Sequence, residues 1–451
     1  MNGTRKLAIA ALIAVGSACI AGGFLSAALA QDPGATKQPY TMPEYNAYQA
    51  ACTEKNPQQQ IKLLDGFVAQ YPSSALLVYI YECYYGNYNA QKNYLKAIEY
   101  ADKLIALGDK ADIGMRYKAL YVRALAFNSI QWKETDPATK DQAAKAREAA
   151  LLGLKTLDEI KKPENMTDDD FNKQKLPLKI VFNYVAANAG RLAKDYANAA
   201  ESYKITLTLT PNEPATWSQL GIVYLAMTPP RSLDGFWALA RAVSLKGANE
   251  AQLKKYLRGQ INNYQQPGCE SLLEAELNEL ITLAGSSIDR PESYKLASTA
   301  DLTAVRNGPP EMTIASVVTD LKAGGDKAKL TWLAACGLEF PDVPGKVLEV
   351  TPGTDAVVLK TAFVTSDEEF QAATTPNMEV KIVGQPEASR IEAKDTLVQF
   401  TGTLVYYDPE PSFMLHWDKA KVKPENIPEE KKAPVKKPPV RKPVPKKKPA
   451  A

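Results

Sequence analysis

Residues 183–224, NYVAANAGRLAKDYANAAESYKITLTLTPNEPATWSQLGIVY, determine how the first part of this chain folds. In this stretch, the positions of Asn183 and Ala187 recur 34 residues later as Trp217 and Gly221. A fixed period of this length is a signature of stacked helix pairs, because each pair buries its apolar face only against its neighbours. The sequence therefore predicts a helical solenoid, and the small residues mark the points where its helices cross.

The residues expected to pack the two clearest units are small, aromatic or apolar and recur at repeat positions. They are Ala187, Tyr196, Ala199, Tyr203, Pro211, Trp217, Leu220, Gly221 and Tyr224. The run Trp-x-x-Leu-Gly-x-x-Tyr at 217–224 resembles the tetratricopeptide repeat (TPR) consensus. Along the chain, the resemblance is specific over 180–247, moderate over 57–110 and poor over 111–170. This resemblance to exported bacterial TPR proteins implies a scaffold that binds a protein or peptide partner without a cofactor.

In the TPR family, ligands bind on the face that the first helix of each pair exposes. Position by position, the resemblance implies a protein-binding groove at Val181, Tyr184, Asn188, Arg191, Ser218 and Ile222. Asn and Arg side chains suit a peptide carboxylate or backbone, although the apolar second unit does not match the carboxylate-clamp version of the family. The alternative for this face is a solvated surface that binds no ligand.

Tyrosine is unusually dense between residues 79 and 100. Tyr81, Tyr84, Tyr85 and Tyr88 have the helical spacing of packed core residues. Tyr79 and Glu82 point to another face, and we include both among the candidate groove residues. For the tyrosine cluster as a whole the spacing favours packing, and a groove is the alternative.

The N-terminus has the pattern of an export signal. Arg5 and Lys6 precede the apolar segment Leu7–Ile20, and Ala28-Leu29-Ala30 forms a small-x-small cleavage site. The sequence therefore predicts a signal peptide at 1–30 and a location in the periplasm or cell envelope. An uncleaved membrane anchor and lipidation at Cys19 are the alternatives.

Export makes the later cysteines candidates for disulfide bonds. These are Cys52, Cys83, Cys269 and Cys336, and four thiols allow three connectivities. The preferred pair is Cys52 with Cys83, because each lies near the end of a neighbouring predicted helix. Free buried thiols are the alternative.

Period-two alternation replaces the helical pattern in the C-terminal region. The sequence predicts strands at Lys346–Val350, Ala356–Phe363, Met378–Val383, Leu397–Tyr407 and Phe413–Val422. Five short strands suit a small antiparallel β-barrel, whose order weakly resembles an OB-fold, with a β-sandwich as the alternative. Phe400, Tyr406, Phe413 and Trp417 are expected to share its inner face.

The predicted fold class is thus α+β and multidomain. Its parts are a signal peptide (1–30), a linker (31–42), a TPR-like solenoid (43–285), a helical linker (286–310), a helix with the five-stranded β-domain (311–423), and a disordered basic, proline-rich tail (424–451). Before the β-strands, a helix is expected at Met312–Leu321, ended by Gly324 and Gly325. Asn249–Tyr264 is expected to cap the solenoid.

The overall charge of +3 conceals an acidic body and a basic tail. Residues 431–451 contain no acid and nine bases: Lys431, Lys432, Lys436, Lys437, Arg441, Lys442, Lys446, Lys447 and Lys448. Such a tail attracts anionic polymers or lipid of the envelope. An extracytoplasmic polyanion or nucleic-acid binder using barrel and tail is the alternative function, although export disfavours nucleic acid.

Residues suited to catalysis are scarce. His416 is the single histidine, expected to be an exposed strand residue, and no HExxH, phosphate-binding loop or GxGxxG motif accompanies it. Asp168, Asp169 and Asp170 follow Thr167 as in a helix N-cap, and their consecutive spacing does not suit calcium. We therefore expect a non-enzymatic protein without a metal or cofactor.

Overall fold

A computed structural model describes residues 39–393 and 396–429. The predicted signal peptide, most of the linker and residues 430–451 of the predicted tail lie outside the described residues. The start of that tail, predicted to be disordered, is described and forms a short 3-10 helix at Pro424–Asn426. The described chain forms two compact units. One contains the residues up to Ile261 together with Ala275–Leu296, and the other contains Asn262–Glu274 together with the residues from Ala297 onward. The domain boundary drawn from the sequence after residue 310 falls inside this second unit.

Helices dominate the first unit. They are α1 (Met42–Thr53), α2 (Pro57–Gln70), α3 (Leu77–Ala90), α4 (Tyr94–Ile105), α5 (Ile113–Ser129), α6 (Pro137–Glu159), α7 (Asp168–Leu192), α8 (Tyr196–Leu209), α9 (Pro214–Ala226), α10 (Ser232–Ser244), α11 (Glu250–Gln265) and α12 (Glu270–Ser286), the last two shared with the second unit. From α1 to α10, each helix packs against the next. In addition α1 touches α3, α3 touches α5, and α5 touches α7, so alternate helices form a layer of their own.

Local sequence signals fix where these helices begin. Thr41 and Glu44 form a reciprocal capping box at α1, and Asn56 caps α2 just before Pro57. The predicted cap at Thr167 is confirmed, since its hydroxyl accepts a hydrogen bond from the Asp170 amide at 3.1 Å. These side chains satisfy amides that have no partner within the helix.

One apolar cluster joins α7, α8, α9 and α10. Most of the predicted repeat-packing residues lie in it: Ala187, Ala199, Tyr203, Trp217, Leu220 and Tyr224 are buried there, and Tyr196 packs against its edge. Gly221 is also buried. Pro211 differs, because its ring is exposed while its carbonyl accepts a hydrogen bond from Trp217 Nε1 at 2.8 Å. Its contribution to packing is therefore a backbone acceptor that orients the tryptophan.

The second unit combines helices with a closed β-barrel. The helices are α13 (Thr299–Asn307), α14 (Ile314–Ala323) and α15 (Gly325–Ala335); the strands are β1 (Glu339–Pro352), β2 (Ala356–Phe363), β3 (Met378–Val383), β4 (Thr396–Asp408) and β5 (Met414–Val422), with a short helix α16 (Asp367–Ala372) after β2. The strands follow the order β1-β2-β3-β5-β4, and β4 closes the barrel on β1. All neighbours are antiparallel except β3 and β5. The predicted combination of an N-terminal helical part with a small C-terminal barrel is confirmed.

Aromatic rings fill the barrel interior. Phe340 and Phe400 meet the Trp417 ring edge-on, at centroid distances of 5.8 and 5.3 Å. Phe400, Phe413 and Trp417 are buried as predicted, but Tyr406 is 55% exposed. The pairing of β4 with β5 shifts register between Leu404 and Tyr406. Because this irregularity breaks the alternation of faces, the prediction that Tyr406 lies inside was wrong.

Two further differences concern glycine and proline. β1 begins earlier than predicted, and the register shift between Phe340 and Val343 accommodates Pro341 within the strand. Gly324 ends α14 as expected, but α15 begins at the next residue and was missed. Gly324 adopts φ +71°, a conformation that lets the chain turn between two helices rather than leave helical structure.

Two disulfide bonds lie within the two units, one in each. Cys52 joins Cys83 in the first unit, which is the pair preferred from the sequence, and Cys269 joins Cys336 in the second. In the described residues, no helix is both long and apolar enough to cross a bilayer.

Candidate functional site

The layer of alternate helices begins with α1 and α3, which lie side by side. The Cys52–Cys83 disulfide joins them, and four residues earlier on each helix the rings of Tyr48 and Tyr79 pack at 5.7 Å. Both pairs are separated by 31 residues. Since moving back one turn on each helix leads from one contact to the other, α1 and α3 run parallel and in register.

Polar contacts extend the same layer to α5 and α7. Lys118 Nζ on α5 lies 3.1 Å from Glu82 Oε1 on α3. Asn188 Nδ2 on α7 donates a hydrogen bond of 2.8 Å to Asn128 Oδ1 on α5. We call the exposed and half-buried side chains of α1, α3, α5 and α7 the first-helix face, and it contains four of the predicted groove residues: Tyr79, Glu82, Asn188 and Arg191.

Arg191 is a charged hydrogen-bond donor on this face. Its Nη1 lies 2.9 Å from Glu134 Oε1, and its Nη2 donates to Asn188 Oδ1 at 3.1 Å. The Arg191 side chain is 16% exposed and lies beside the buried Tyr203. Burial raises the pKa of Tyr203 to about 12, although the positive charge of Arg191 acts in the opposite direction. A ligand carboxylate at this position must therefore share the guanidinium with Glu134.

Tyr184 and Val181 do not line a groove, and the prediction that they do was wrong. The Tyr184 side chain is 4% exposed, and its ring meets Tyr203 edge-on at 5.9 Å. Val181 is buried in a second cluster with α5 and α6. Along this part of α7, neighbouring helices cover both sides of the helix. The side chains that the repeat pattern leaves exposed are therefore buried here.

The remaining groove candidates, on α9, offer little for polar recognition. The Ser218 hydroxyl donates to Ala215 O at 2.8 Å within its own helix. Ile222 is half-buried. At these positions α9 therefore adds a largely apolar patch.

A row of four tyrosine rings covers the start of the first-helix face. Tyr40, Tyr45, Tyr48 and Tyr79 follow one another at centroid distances of 5.8, 6.0 and 5.7 Å. None of these rings is buried, and Tyr79 is 40% exposed. Partial burial raises the pKa of Tyr48, and the neighbouring Tyr79 and Glu82 add to that rise. We call this row the tyrosine lane.

Only Tyr79 of the lane was singled out from the sequence. Tyr48 precedes Cys52 by the same four residues as Tyr79 precedes Cys83. That shared spacing was the available signal, because a disulfide between two helices also aligns the residues one turn away. Tyr40 lies before α1, where no periodicity identifies it.

A separate cleft of about 400 Å³ lies beside α4 and α6. It is lined by Leu95, Ile98, Glu99, Asp102, Lys103, Ala106 and Gln142. Asp102 Oδ1 accepts a 2.7 Å hydrogen bond from Nε of Arg123, which is 1% exposed. The carboxylate of Asp102 therefore compensates a buried cation, a structural role at the wall of the cleft.

His416 was expected to be a simple exposed strand residue, but the structure encloses it between two carboxylates. Its Nδ1 lies 3.3 Å from Glu379 Oε1 on β3, and its Nε2 lies 2.8 Å from Asp408 Oδ2 on β4. The imidazole thus links three strands of the barrel. Both ring nitrogens are engaged in this linkage.

Within residues 39–393 and 396–429, no cluster of three or more His, Cys, Asp or Glu side chains is arranged to hold a metal ion. The nine basic residues predicted to bind polyanions lie outside the described residues, so no geometry is assigned to them. Comparison of the chain with protein-family models gives no match, and comparison with curated proteins gives none either.

Proposed function

We propose that this protein is a non-enzymatic scaffold of the bacterial cell envelope, and that its first-helix face binds a protein partner. The observation that carries the proposal is the continuity of this face. Contacts at Tyr48–Tyr79, Glu82–Lys118 and Asn128–Asn188 link α1, α3, α5 and α7 in order. Aromatic, charged and amide groups follow one another along it, a mixture suited to an extended polypeptide.

A TPR-like arrangement of the helices supports this proposal. In such solenoids the first helices of successive pairs form one layer and the second helices another, and ligands bind the first. The alternating contacts of α1, α3, α5 and α7 fit that scheme. So does the close approach of α9 and α10 at Gly221, where an added Cβ would lie 2.9 Å from Gly235 O.

We further propose that the barrel has an OB-like fold and that it provides a second binding surface. A closed five-stranded barrel with a long first strand paired to both β2 and β4 supports that assignment. Its use as a nucleic-acid binder is disfavoured by the proposed export. Of the barrel's aromatic rings, Phe400 and Trp417 are buried and cannot stack on bases, whereas Tyr406 is exposed.

The envelope location rests on the sequence. The segment 1–30 is proposed to direct export and to be removed after Ala30, which the intact mass of the mature protein tests directly. The basic segment 431–451 is proposed to hold the protein to anionic envelope polymers or lipid.

Site-specific photo-crosslinking in intact cells tests the binding face. A photoreactive residue at Asn188 on α7 probes the first-helix face, and one at Ile205 on α8 serves as the matched control. Ile205 is exposed and belongs to the second helix of the same pair. We expect a discrete protein adduct from position 188 and none from position 205.

Arg191→Ala should reduce the yield of that adduct, because it removes the donor beside Asn188. Equal adducts from both positions, or no protein adduct at 188, would contradict binding on the first-helix face.

A further inference from the structure

We propose that the cleft beside α4 and α6 binds an uncharged peptide segment through an amide group and an aliphatic side chain. Both helices lie outside the layer that α1, α3, α5 and α7 form, so this cleft is separate from the first-helix face. The inference goes beyond the proposed function and does not depend on it. We call the site the α4 cleft.

One side of α4 supplies most of the α4 cleft. Leu95, Ile98, Asp102 and Ala106 follow one another at intervals of three or four residues, on this helix or directly after it. Residues at these intervals share one face of a helix, and this stripe spans about 16 Å at roughly 1.5 Å per residue. The volume of about 400 Å³ falls within the range of about 300–1,000 Å³ that is usual for ligand-binding clefts. The dimensions therefore suit a short peptide segment.

The apolar part of the cleft is accessible to a ligand. The Leu95 side chain is 60% exposed, whereas Ile98 is buried in the apolar cluster that α4 shares with α5, α6 and α7. An aliphatic ligand group that packs on Leu95 removes the apolar surface of both partners from water, which favours binding. Because Ile98 is held by the core, the floor of the cleft is in place before a ligand arrives.

Gln142 on α6 supplies a hydrogen-bonding group that the protein does not use. Its Oε1 is buried at the cleft and accepts no hydrogen bond from residues 39–393 or 396–429. A buried acceptor without a partner is costly, so a ligand N–H group that reaches it removes that cost. A peptide amide matches the Gln142 side chain, since each has an N–H donor and a carbonyl acceptor.

The charged groups of the cleft are already paired, which favours an uncharged occupant. Glu99 lies 2.7 Å from Lys96 Nζ and 2.9 Å from Lys103 Nζ, and the hydrogen bonds from these lysines lower the pKa of the Glu99 carboxyl. Asp102 Oδ1 accepts a hydrogen bond of 2.7 Å from the buried Arg123. A charged ligand would lose hydration and meet charges that are already compensated, whereas a neutral amide loses much less.

Saturation-transfer difference NMR on the full chain tests this charge preference with three leucine derivatives. N-acetyl-leucinamide is neutral, N-acetyl-leucine is an anion and leucinamide is a cation at about pH 6, and all three keep the same side chain. We expect weak, saturable binding of the neutral compound. Both charged compounds should bind at least about fivefold more weakly, because each brings a charge that the cleft leaves unpaired. Equal or tighter binding of either charged compound would overturn the proposal.

Two variants test whether the neutral compound binds in the α4 cleft. Gln142→Leu keeps the bulk of the side chain and removes its amide, so binding should weaken about fivefold, the usual effect of one lost hydrogen bond. The thermal midpoint of this variant should not fall, because the oxygen that is removed had no partner among the described residues. Leu95→Ala should weaken binding at least about threefold by removing an apolar contact.

Leu152→Ala is the matched control for Leu95→Ala. Leu152 lies on α6, is 43% exposed and does not line the cleft, so its truncation should leave binding unchanged. Neutral binding that neither Gln142→Leu nor Leu95→Ala weakens lies elsewhere on the chain and contradicts the proposal, as does the absence of saturable binding. None of these results affects the expected crosslink at Asn188, so the two proposals fail separately.

Discussion

Gly221 shows how a single residue sets the spacing of two helices. A Cβ at this position would lie 2.7 Å from Leu239 Cγ and 2.9 Å from Gly235 O, closer than side-chain atoms normally approach. The repeat pattern identified the small residue correctly. The same pattern gave a wrong prediction for Tyr184, which was expected to be exposed. The pattern specifies which side of a helix is turned outward, but not whether a neighbouring element covers that side.

Gly221→Ala should lower the free energy of unfolding by up to about 2 kcal/mol, since an overpacking cost of about 1–3 kcal/mol is offset only in part by the gain of about 1 kcal/mol in helix propensity. The matched control is Gly259→Ala in α11, where an added Cβ has no atom within 4 Å and should stabilise the protein slightly. Urea unfolding followed by far-UV circular dichroism measures both. An unfolding midpoint for Gly221→Ala at or above wild type would show that α9 and α10 are not packed as described.

At the scale of secondary-structure elements, α1 and α3 are held together by contacts between residues 31 positions apart. They contact each other at the Cys52–Cys83 disulfide and the Tyr48–Tyr79 ring pair. The tyrosines nearer the core, Tyr84 and Tyr85, are buried, and the rings of Tyr84 and Tyr100 stack at 3.9 Å. The expected division of this segment into packed and outward-facing tyrosines is therefore visible in α3.

Cys52→Ala/Cys83→Ala should cost about 2–4 kcal/mol of stability, because the disulfide restricts the unfolded chain by closing a loop with a sequence separation of 31. Thermal unfolding with and without a thiol reductant measures this effect. The wild-type midpoint should fall on reduction more than that of the variant, which retains only Cys269–Cys336. If reduction affects both equally, the loss arises from the second disulfide instead.

The whole molecule combines two compact units with a basic segment outside the described residues. The sequence contains 54 bases and 51 acids, and nine of the bases lie in residues 431–451. The remainder of the chain is therefore net acidic. This separation of charge supports the proposal that the segment, rather than the folded units, attracts polyanions.

A variant ending at Glu429 should lose binding to vesicles that contain anionic lipid. Binding of the full chain should fall steeply as salt is raised, since the interaction of many exposed charges is screened. A sedimentation assay over a salt series measures this difference, with neutral vesicles as the control. Retained, salt-sensitive binding by the shortened chain would place the anion-binding surface in the folded units.

The sequence by itself determined the local features of this protein, including the cap at Thr167 and the limits of β2 and β3, and it identified the small residue at 221. These follow from periodicity and backbone chemistry, which act over a few residues. Only the tertiary structure decided that Tyr184 is covered, that an irregular register turns Tyr406 outward, that His416 joins three strands, and that four tyrosines form a lane. Each of these depends on elements distant in sequence, and burial at a position is fixed by whichever element packs there, information that no local pattern contains.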